Sequence, residues 1–136
     1  MRLERLYRLR FAYREHWTVE GPDAQFFGLA EGRCEGAITG RFRGANHPRR
    51  RSDNVFLPDF DAVIETDDSA TVAVHLTGFG RPRDGGGRQV VGMITHLSGD
   101  ERYSRLNDAV CVLTGESRDK EIVLDVAELV WEPLAD

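Results

Sequence analysis

The chain has 136 residues, of which 40% are hydrophobic and 30% are charged, and its formal net charge is −5. This length is typical of one domain with one core, and the apolar fraction excludes a disordered chain. No apolar run approaches the ~18 residues that cross a bilayer, and charges interrupt the N-terminal segment where a signal peptide needs a continuous apolar stretch. We therefore predict a single domain over residues 1–136, in the cytoplasm and without membrane contact. The negative net charge also disfavours nucleic acid as a partner.

The first half of the chain predicts two strands. Apolar and polar residues alternate over residues 3–13, which predicts a strand with one wet face, although Arg5 and Leu6 interrupt the alternation. Residues 21–23, Gly-Pro-Asp, predict a turn. The second predicted strand covers residues 33–42.

Residues 59–77 predict a β-hairpin. Apolar residues occupy every second position on both sides of a Thr-Asp-Asp-Ser turn at 66–69, where Asp and Ser can bond their own backbone. Because the side-chain period of a strand is two, one face collects six apolar residues: Phe60, Ala62, Ile64, Val72, Val74 and Leu76.

The second half predicts a mobile loop and three further strands. Residues 78–88 contain five glycines and a proline, which is typical of a flexible loop. Residues 100–107 can form a short helical turn, and residues 115–119 predict a tight turn. The three strands are predicted at 89–97, 109–114 and 121–131.

Seven or eight short strands without a long amphipathic helix predict an all-β fold. Closure into one antiparallel barrel of about seven to nine strands removes the exposed edges that an open sheet would leave. Cys34 and Cys111 lie in separate apolar segments and form no CxxC pair, so we expect two buried, unpaired thiols that fill the core of a protein in a reducing compartment.

Three motifs resemble the domain-of-unknown-function family 3237, a group of small bacterial β-barrel proteins. Residues 27–44, FGLAEGRCEGAITGRFRG, are similar to its Gly-x-Arg followed by a strand that ends Ile-x-Gly-Gly-x-Phe-x-Gly. Residues 53–70 resemble its Asp-rich strand and Thr-Asp-Asp-Gly turn. Residues 99–107 resemble its Gly-Asp-x-x-Tyr-x-Trp-Leu-Asn. The resemblance implies a lipocalin-like or allene-oxide-cyclase-like barrel, and it implies no particular reaction.

The chain departs from the family pattern at four positions. Arg41 replaces the second glycine of the pair, so the backbone there either needs no positive φ or is strained. Asn54 and Ser69 replace two further glycines, and Asn tolerates a left-handed conformation. Arg105 stands where the family has Trp, whereas Tyr103 and Asn107 match its third motif and join the predicted substrate-binding residues.

Polar residues lie within the predicted strands, opposite the apolar faces. They either form the wet outer wall of the barrel or line a cavity, since barrels of about eight strands can enclose one ligand. The hairpin register makes Asp61 and His75 cross-strand neighbours, and if they line a cavity they are predicted to be a catalytic pair. The Arg33 guanidinium would then converge with them and hold a substrate carboxylate or enolate. The predicted substrate-binding residues are Arg33, Glu35, Asp59, His96, Tyr103 and Asn107.

The sequence carries no nucleotide, hydrolase or metalloprotease motif, so we predict neither cofactor nor metal. A metal site assembled from His75, His96 and Asp61 is the alternative. The basic segment 41–51 contains five arginines, His47 and a single aromatic residue, which predicts a solvated loop and not a base-stacking surface.

Two functions remain open. The first is a small-molecule-binding barrel that acts as a cofactor-independent lyase, isomerase or cyclase on an organic metabolite. The second is a non-enzymatic barrel that binds a ligand or forms a homo-oligomer.

Overall fold

A computed structural model of the chain describes residues 1–22 and 24–136, and these residues form ten β-strands and one short 3-10 helix. No helix in these ranges is long and apolar enough to span a membrane. The strands are β1 Arg2–Val19, β2 Gln25–Gly36, β3 Gly40–Asn46, β4 Arg49–Arg50, β5 Phe56–Leu57, β6 Asp59–Thr66, β7 Thr71–Pro82, β8 Arg88–Leu97, β9 Cys111–Arg118 and β10 Glu121–Val130, and the helix is Ser104–Leu106.

Eight of the strands close into an antiparallel barrel, which confirms the predicted fold. Going round the barrel, the order is β1-β10-β9-β8-β7-β6-β3-β2, and β2 pairs again with β1. The two-residue strands β4 and β5 lie outside this ring and connect β2 to β7 through the pairs Gln25–Arg49 and Phe56–Gly80. This connection passes over one end of the barrel and shapes the site described below.

The predicted hairpin is confirmed, with continuous pairing from Asp59–Thr77 to Glu65–Thr71. The Thr66 hydroxyl accepts a hydrogen bond from the Ala70 amide at 2.7 Å and closes the turn. All six apolar residues predicted for one face are buried inside the barrel.

Three predicted boundaries are wrong. Each lies in a segment that contains glycine, and the alternation does not show whether a glycine continues a strand or ends it. Residues 33–42 form two strands instead of one, since Gly36 has a φ of 142° and ends β2 before the chain reverses into β3. The predicted loop 78–88 shrinks to residues 83–87, because β7 and β8 pair as far as Pro82 and Arg88. The predicted turn 115–119 is also mostly strand, and Asp23 of the predicted turn 21–23 lies outside the described residues.

Strand β1 contains two β-bulges. One extra residue, Leu6, lies between the pairs that Arg5 and Tyr7 make with β10, which explains why the alternation is interrupted there. The second extra residue is Arg14, between the pairs that Tyr13 and Glu15 make with β2. Beyond this bulge, inward-facing positions change from odd to even residue numbers.

The core fills one end of the barrel, which we call the closed end. Leu106 of the 3-10 helix belongs to the core cluster and covers this end. Phe11, Phe42 and Phe60 pack together in the middle of the barrel, with ring centroids 5.3–5.4 Å apart. Cys34 and Cys111 are buried and unpaired, as predicted.

Candidate functional site

A cavity of about 310 Å³ occupies the opposite end, which we call the open end. Its floor is formed by core side chains from the middle of the barrel, among them Phe11, Phe60 and Leu76. Phe26 from β2 and Phe56 from β5 form an aromatic wall with ring centroids 5.0 Å apart. The volume lies at the lower end of the roughly 300–1,000 Å³ range of ligand pockets, and the mostly apolar lining is typical of them.

Tyr13 and Asn46 supply one polar group in this cavity. The Asn46 amide donates to the Tyr13 hydroxyl at 2.8 Å, and the Asn46 carbonyl oxygen accepts from the Asp59 amide at 3.0 Å. Gly28 makes room for the tyrosine ring, because a Cβ there would lie 2.6 Å from Tyr13 Cδ1. Burial raises the pKa of Tyr13, while the bond from Asn46 opposes that rise. The phenolic hydrogen is therefore retained and can be donated to a ligand oxygen.

Arg88 supplies the second polar group. It begins β8 and faces inward at the open end, where its guanidinium lies 4.0 Å from the centroid of the Phe56 ring. Nη1 donates to the carbonyl oxygens of Asn54 and Gly80 at 2.8 and 3.0 Å, and Nη2 donates to Asn54 Oδ1 at 3.2 Å. These contacts hold the guanidinium on the cavity wall.

None of the eight predicted site residues lines this cavity, among the residues that the structure describes. Asp61 and His75 are cross-strand neighbours, as the hairpin register predicted, with 2.7 Å between Oδ1 and Nδ1. They lie on the outer wall, however, so placing them in a cavity was wrong, and the alternative of a wet outer face is correct for this pair. Asp59 is also exposed there, with Oδ1 3.5 Å from His75 Nε2.

This outer cluster could hold a metal ion, because one ligand atom each from Asp59, Asp61 and His75 lies within 4.8 Å of the others. His96 lies on the neighbouring strand but faces the barrel interior, so the metal set predicted from His75, His96 and Asp61 does not assemble. The catalytic roles of Asp61 and His75 and the binding role of Asp59 stay predictions.

Arg33 does not converge with Asp61 and His75, which corrects the predicted triad. The Arg33 guanidinium donates to Asp67 at 2.7 Å on the outer surface. Strand β3 separates β2 from β6, so the strand neighbour of Arg33 is Arg41. Glu35 is exposed on the same strand.

His96 lies inside the barrel with the core residues, although it was grouped with the polar residues opposite the apolar faces, and its predicted binding role stays a prediction. It is 3% exposed, and its Nε2 lies 2.7 Å from the Tyr7 hydroxyl. Its Nδ1 has no hydrogen-bond partner among the described residues, and burial lowers the pKa of the imidazole to about 4. Val90 and Ile94 share its side of β8, but Val91, Met93 and Leu97 occupy the other side, so the alternation did not show which side faces inward.

Tyr103 and Asn107 hold the closed end together. The Tyr103 hydroxyl donates to the Asp68 carboxylate at 2.8 Å, and Asn107 bonds both the amide and the carbonyl of Ser98 at 2.8 and 3.0 Å. These contacts tie the 3-10 helix to the hairpin turn and to the end of β8. Substrate binding by these two residues stays a prediction.

The basic segment 41–51 is largely strand and ion pairs instead of a solvated loop. Arg41, Arg43 and Arg51 pair with Glu31, Glu65 and Asp53 respectively. Arg41 has a negative φ, so the first alternative considered for it is correct.

The sequence interpretation missed Tyr13, Asn46 and Arg88. Arg88 had been assigned to a glycine-rich loop, although its even number matches the inward positions Val90 and Ile94. Because both sides of β8 carry apolar residues, extending the strand to residue 88 would not by itself have shown that Arg88 faces inward.

No family model and no curated protein matches the sequence. Several solved structures share its fold. A β-barrel-like protein from Acinetobacter baumannii AYE has a TM-score of 0.85 and 19% identity over 93% of this chain and 94% of that chain. A protein with unknown function from Clostridium acetobutylicum has a TM-score of 0.87 and 13% identity over 96% and 100%. An enzyme from Penicillium herquei has a TM-score of 0.74 and 20% identity over 93% and 92%. At these identities the likeness shows the fold alone.

Proposed function

We propose that the chain binds a small, largely apolar organic molecule in the cavity at the open end of the barrel. The observation that carries this proposal is an aromatic-lined space of about 310 Å³ in a barrel whose closed end is filled by side chains. A well-formed apolar pocket with a few convergent polar groups is the usual form of such a site. Membership of family 3237 and a cytoplasmic location belong to the same proposal, supported by the three motifs and by the two unpaired cysteines.

The test is binding of N-phenyl-1-naphthylamine, a neutral dye that fluoresces in apolar sites. We expect a saturable rise in fluorescence with the wild-type protein. Gly80→Leu should weaken binding at least tenfold, because a Cβ at Gly80 meets only ordinary contacts, 3.6 Å from Phe56 Cβ and 3.8 Å from Arg88 Cδ, and the longer side chain would occupy the cavity.

Thr77→Leu is the matched control, since Thr77 lies on the outer side of the same strand and is exposed. It should leave the dye affinity unchanged. Equal binding by the two variants, or no binding by the wild type, would show that the cavity is not a ligand site.

A second candidate is cofactor-independent catalysis on the bound molecule, as a lyase, isomerase or cyclase. The specific observation in its favour is the Tyr13 hydroxyl, which keeps its proton and is oriented by Asn46 within the cavity. A phenol held in this way can donate a proton to a developing oxyanion. If the chain is an enzyme, Tyr13→Phe should retain dye binding and lose most of the turnover that the wild type shows with a metabolite extract, followed by mass spectrometry.

A homo-oligomer also stays a prediction. Phe79, Val91 and Met93 are exposed together on the outer side of β7 and β8, and this apolar surface supports it.

A further inference from the structure

Arg88 is an inward-facing cation without a carboxylate partner in the described residues. Twelve other arginines of the chain form ion pairs with Asp or Glu. The four remaining arginines, which have no such pair within residues 1–22 and 24–136, are exposed on the surface, where water solvates the charge: Arg2, Arg49, Arg50 and Arg81. Arg88 is half-buried and lines the cavity, so its charge is the one that lacks compensation.

We propose that the ligand of this cavity is a small organic anion, whose acidic group pairs with Arg88 and whose apolar body packs against the aromatic lining. This identification rests on the proposed function and adds the chemical class of the ligand. A carboxylate is the group that best matches the planar fork of a guanidinium.

The contacts of Arg88 orient the guanidinium and leave its charge unpaired. Its acceptors are two backbone carbonyls and one side-chain amide, all neutral. The ring of Phe56 covers one face. Three of the five N–H donors of an arginine can be assigned to these bonds, which leaves donors for a ligand without moving the side chain.

The surroundings of Arg88 are also electropositive. Arg50 is the cross-strand partner of Phe56, on which Arg88 stacks, and the pKa of Arg88 is lowered first by burial and second by the charge of Arg50. No Asp or Glu lines the cavity within the described part of the chain. An anion at this end therefore relieves a repulsion as well as compensating a charge, even though the whole chain has a net charge of −5.

The test compares two probes of similar shape, 2-naphthoate and the neutral 2-naphthalenemethanol, by isothermal titration calorimetry at constant salt. The wild type should bind the naphthoate at least tenfold more tightly than the alcohol. In Arg88→Gln the naphthoate should weaken to the affinity of the alcohol, while the alcohol affinity stays within about threefold of the wild-type value.

Arg81→Gln is the matched control, because Arg81 is also an arginine without a carboxylate partner in the described ranges, but it lies outside the cavity. It should change neither affinity. If Arg88→Gln does not fold, judged by near-UV circular dichroism, Arg88→Lys keeps the charge without the planar fork and should keep a weaker preference for the naphthoate.

The outcomes separate the two proposals. Equal affinities of the wild type for the two probes, or a preference for the naphthoate that survives in Arg88→Gln, would overturn the proposal that the ligand is an anion paired with Arg88. Failure of both probes and of the neutral dye would overturn the cavity as a binding site. Loss of the preference in a folded Arg88→Lys would show that the guanidinium fork, and not the positive charge alone, selects the carboxylate.

Discussion

Inward-facing polar residues have different environments at the two ends of the barrel, and strand β8 contains one such residue at each end. At the closed end, His96 bonds Tyr7 within a filled core and is neutral because burial lowers its pKa to about 4. At the open end, Arg88 keeps its charge, bonds neutral carbonyls and lines the cavity. The closed end is thus filled by packed side chains that stabilise the fold. The open end contains a cavity and a positive charge that core packing does not require.

The most severe way to disturb the closed end is to place a charge in it. Val74 faces inward and is the strand neighbour of Ala62 and His96, and Val74→Asp should lower the free energy of unfolding by about 4 kcal/mol, since the carboxylate would be buried among apolar side chains beside an imidazole that is neutral at pH 7. Val63→Asp is the control, because Val63 lies on the outer side of the adjacent strand. Urea denaturation of both variants measures the difference, and similar losses would mean that the inner and outer faces are assigned incorrectly.

Removing the same side chain from each end sharpens the comparison. Ile94 is fully buried below the cavity, whereas Ile122 is half-buried and lines it. Ile94→Ala should cost about 3 kcal/mol, because it leaves a new void, and Ile122→Ala should cost about 1 kcal/mol, because it only enlarges an existing space. The same denaturation experiment tests this, and equal costs would argue that the open end is packed as tightly as the closed end.

The smallest expected effect is a dependence of stability on pH. An unfolded chain protonates a histidine near pH 6.5, but folded His96 stays neutral down to about pH 4. Because the unfolded state binds more protons in this range, the free energy of unfolding should fall as the pH falls, by about 1.5 kcal/mol between pH 6.5 and 5.

His96→Gln provides the control for this pH dependence. It should be less stable at pH 7, because it alters the contact with Tyr7, and it should show a smaller change between pH 6.5 and 5. Protonation of a carboxyl such as Asp100, whose pKa is lowered to about 2 by its bonds to Arg102, lowers the free energy of unfolding mainly at more acidic pH. An unchanged slope in the variant would assign the effect to other groups.

The alternating pattern predicted the strands of the barrel well where two strands are joined by a short turn. The hairpin 59–77 combines two alternating strands with a turn that bonds its own backbone, so its register and buried face followed directly. The alternation is interrupted at the Leu6 bulge but gave no sign of the Arg14 bulge, and an extra residue can be identified as a bulge only against its partner strand. The reversal at Gly36 was missed for a similar reason, because a positive φ leaves no trace in the hydrophobic period.

The candidate site was predicted less well, because the polar residues within the strands were grouped as one face and taken as candidates for lining a cavity. Asp61 and His75 do share one face, the outer one. His96 was grouped with them, although it lies on the inner face and bonds a buried tyrosine. The grouping also passed over Arg88, whose partners come from residue 54 and from the neighbouring strand. Contacts between residues so distant in sequence decide whether a polar group can be buried, and a single sequence does not display them.

The two buried cysteines make local opening of the barrel measurable without introducing any new residue. Cys34 lies in β2 and Cys111 in β9, which belong to different parts of the wall, and burial raises the pKa of their thiols to about 12 and about 11. A thiol reagent can modify each one only when the strands around it separate, so the two reaction rates report the frequency of local opening. Equal rates would indicate that the barrel opens as one cooperative unit, and unequal rates would show which strands separate first.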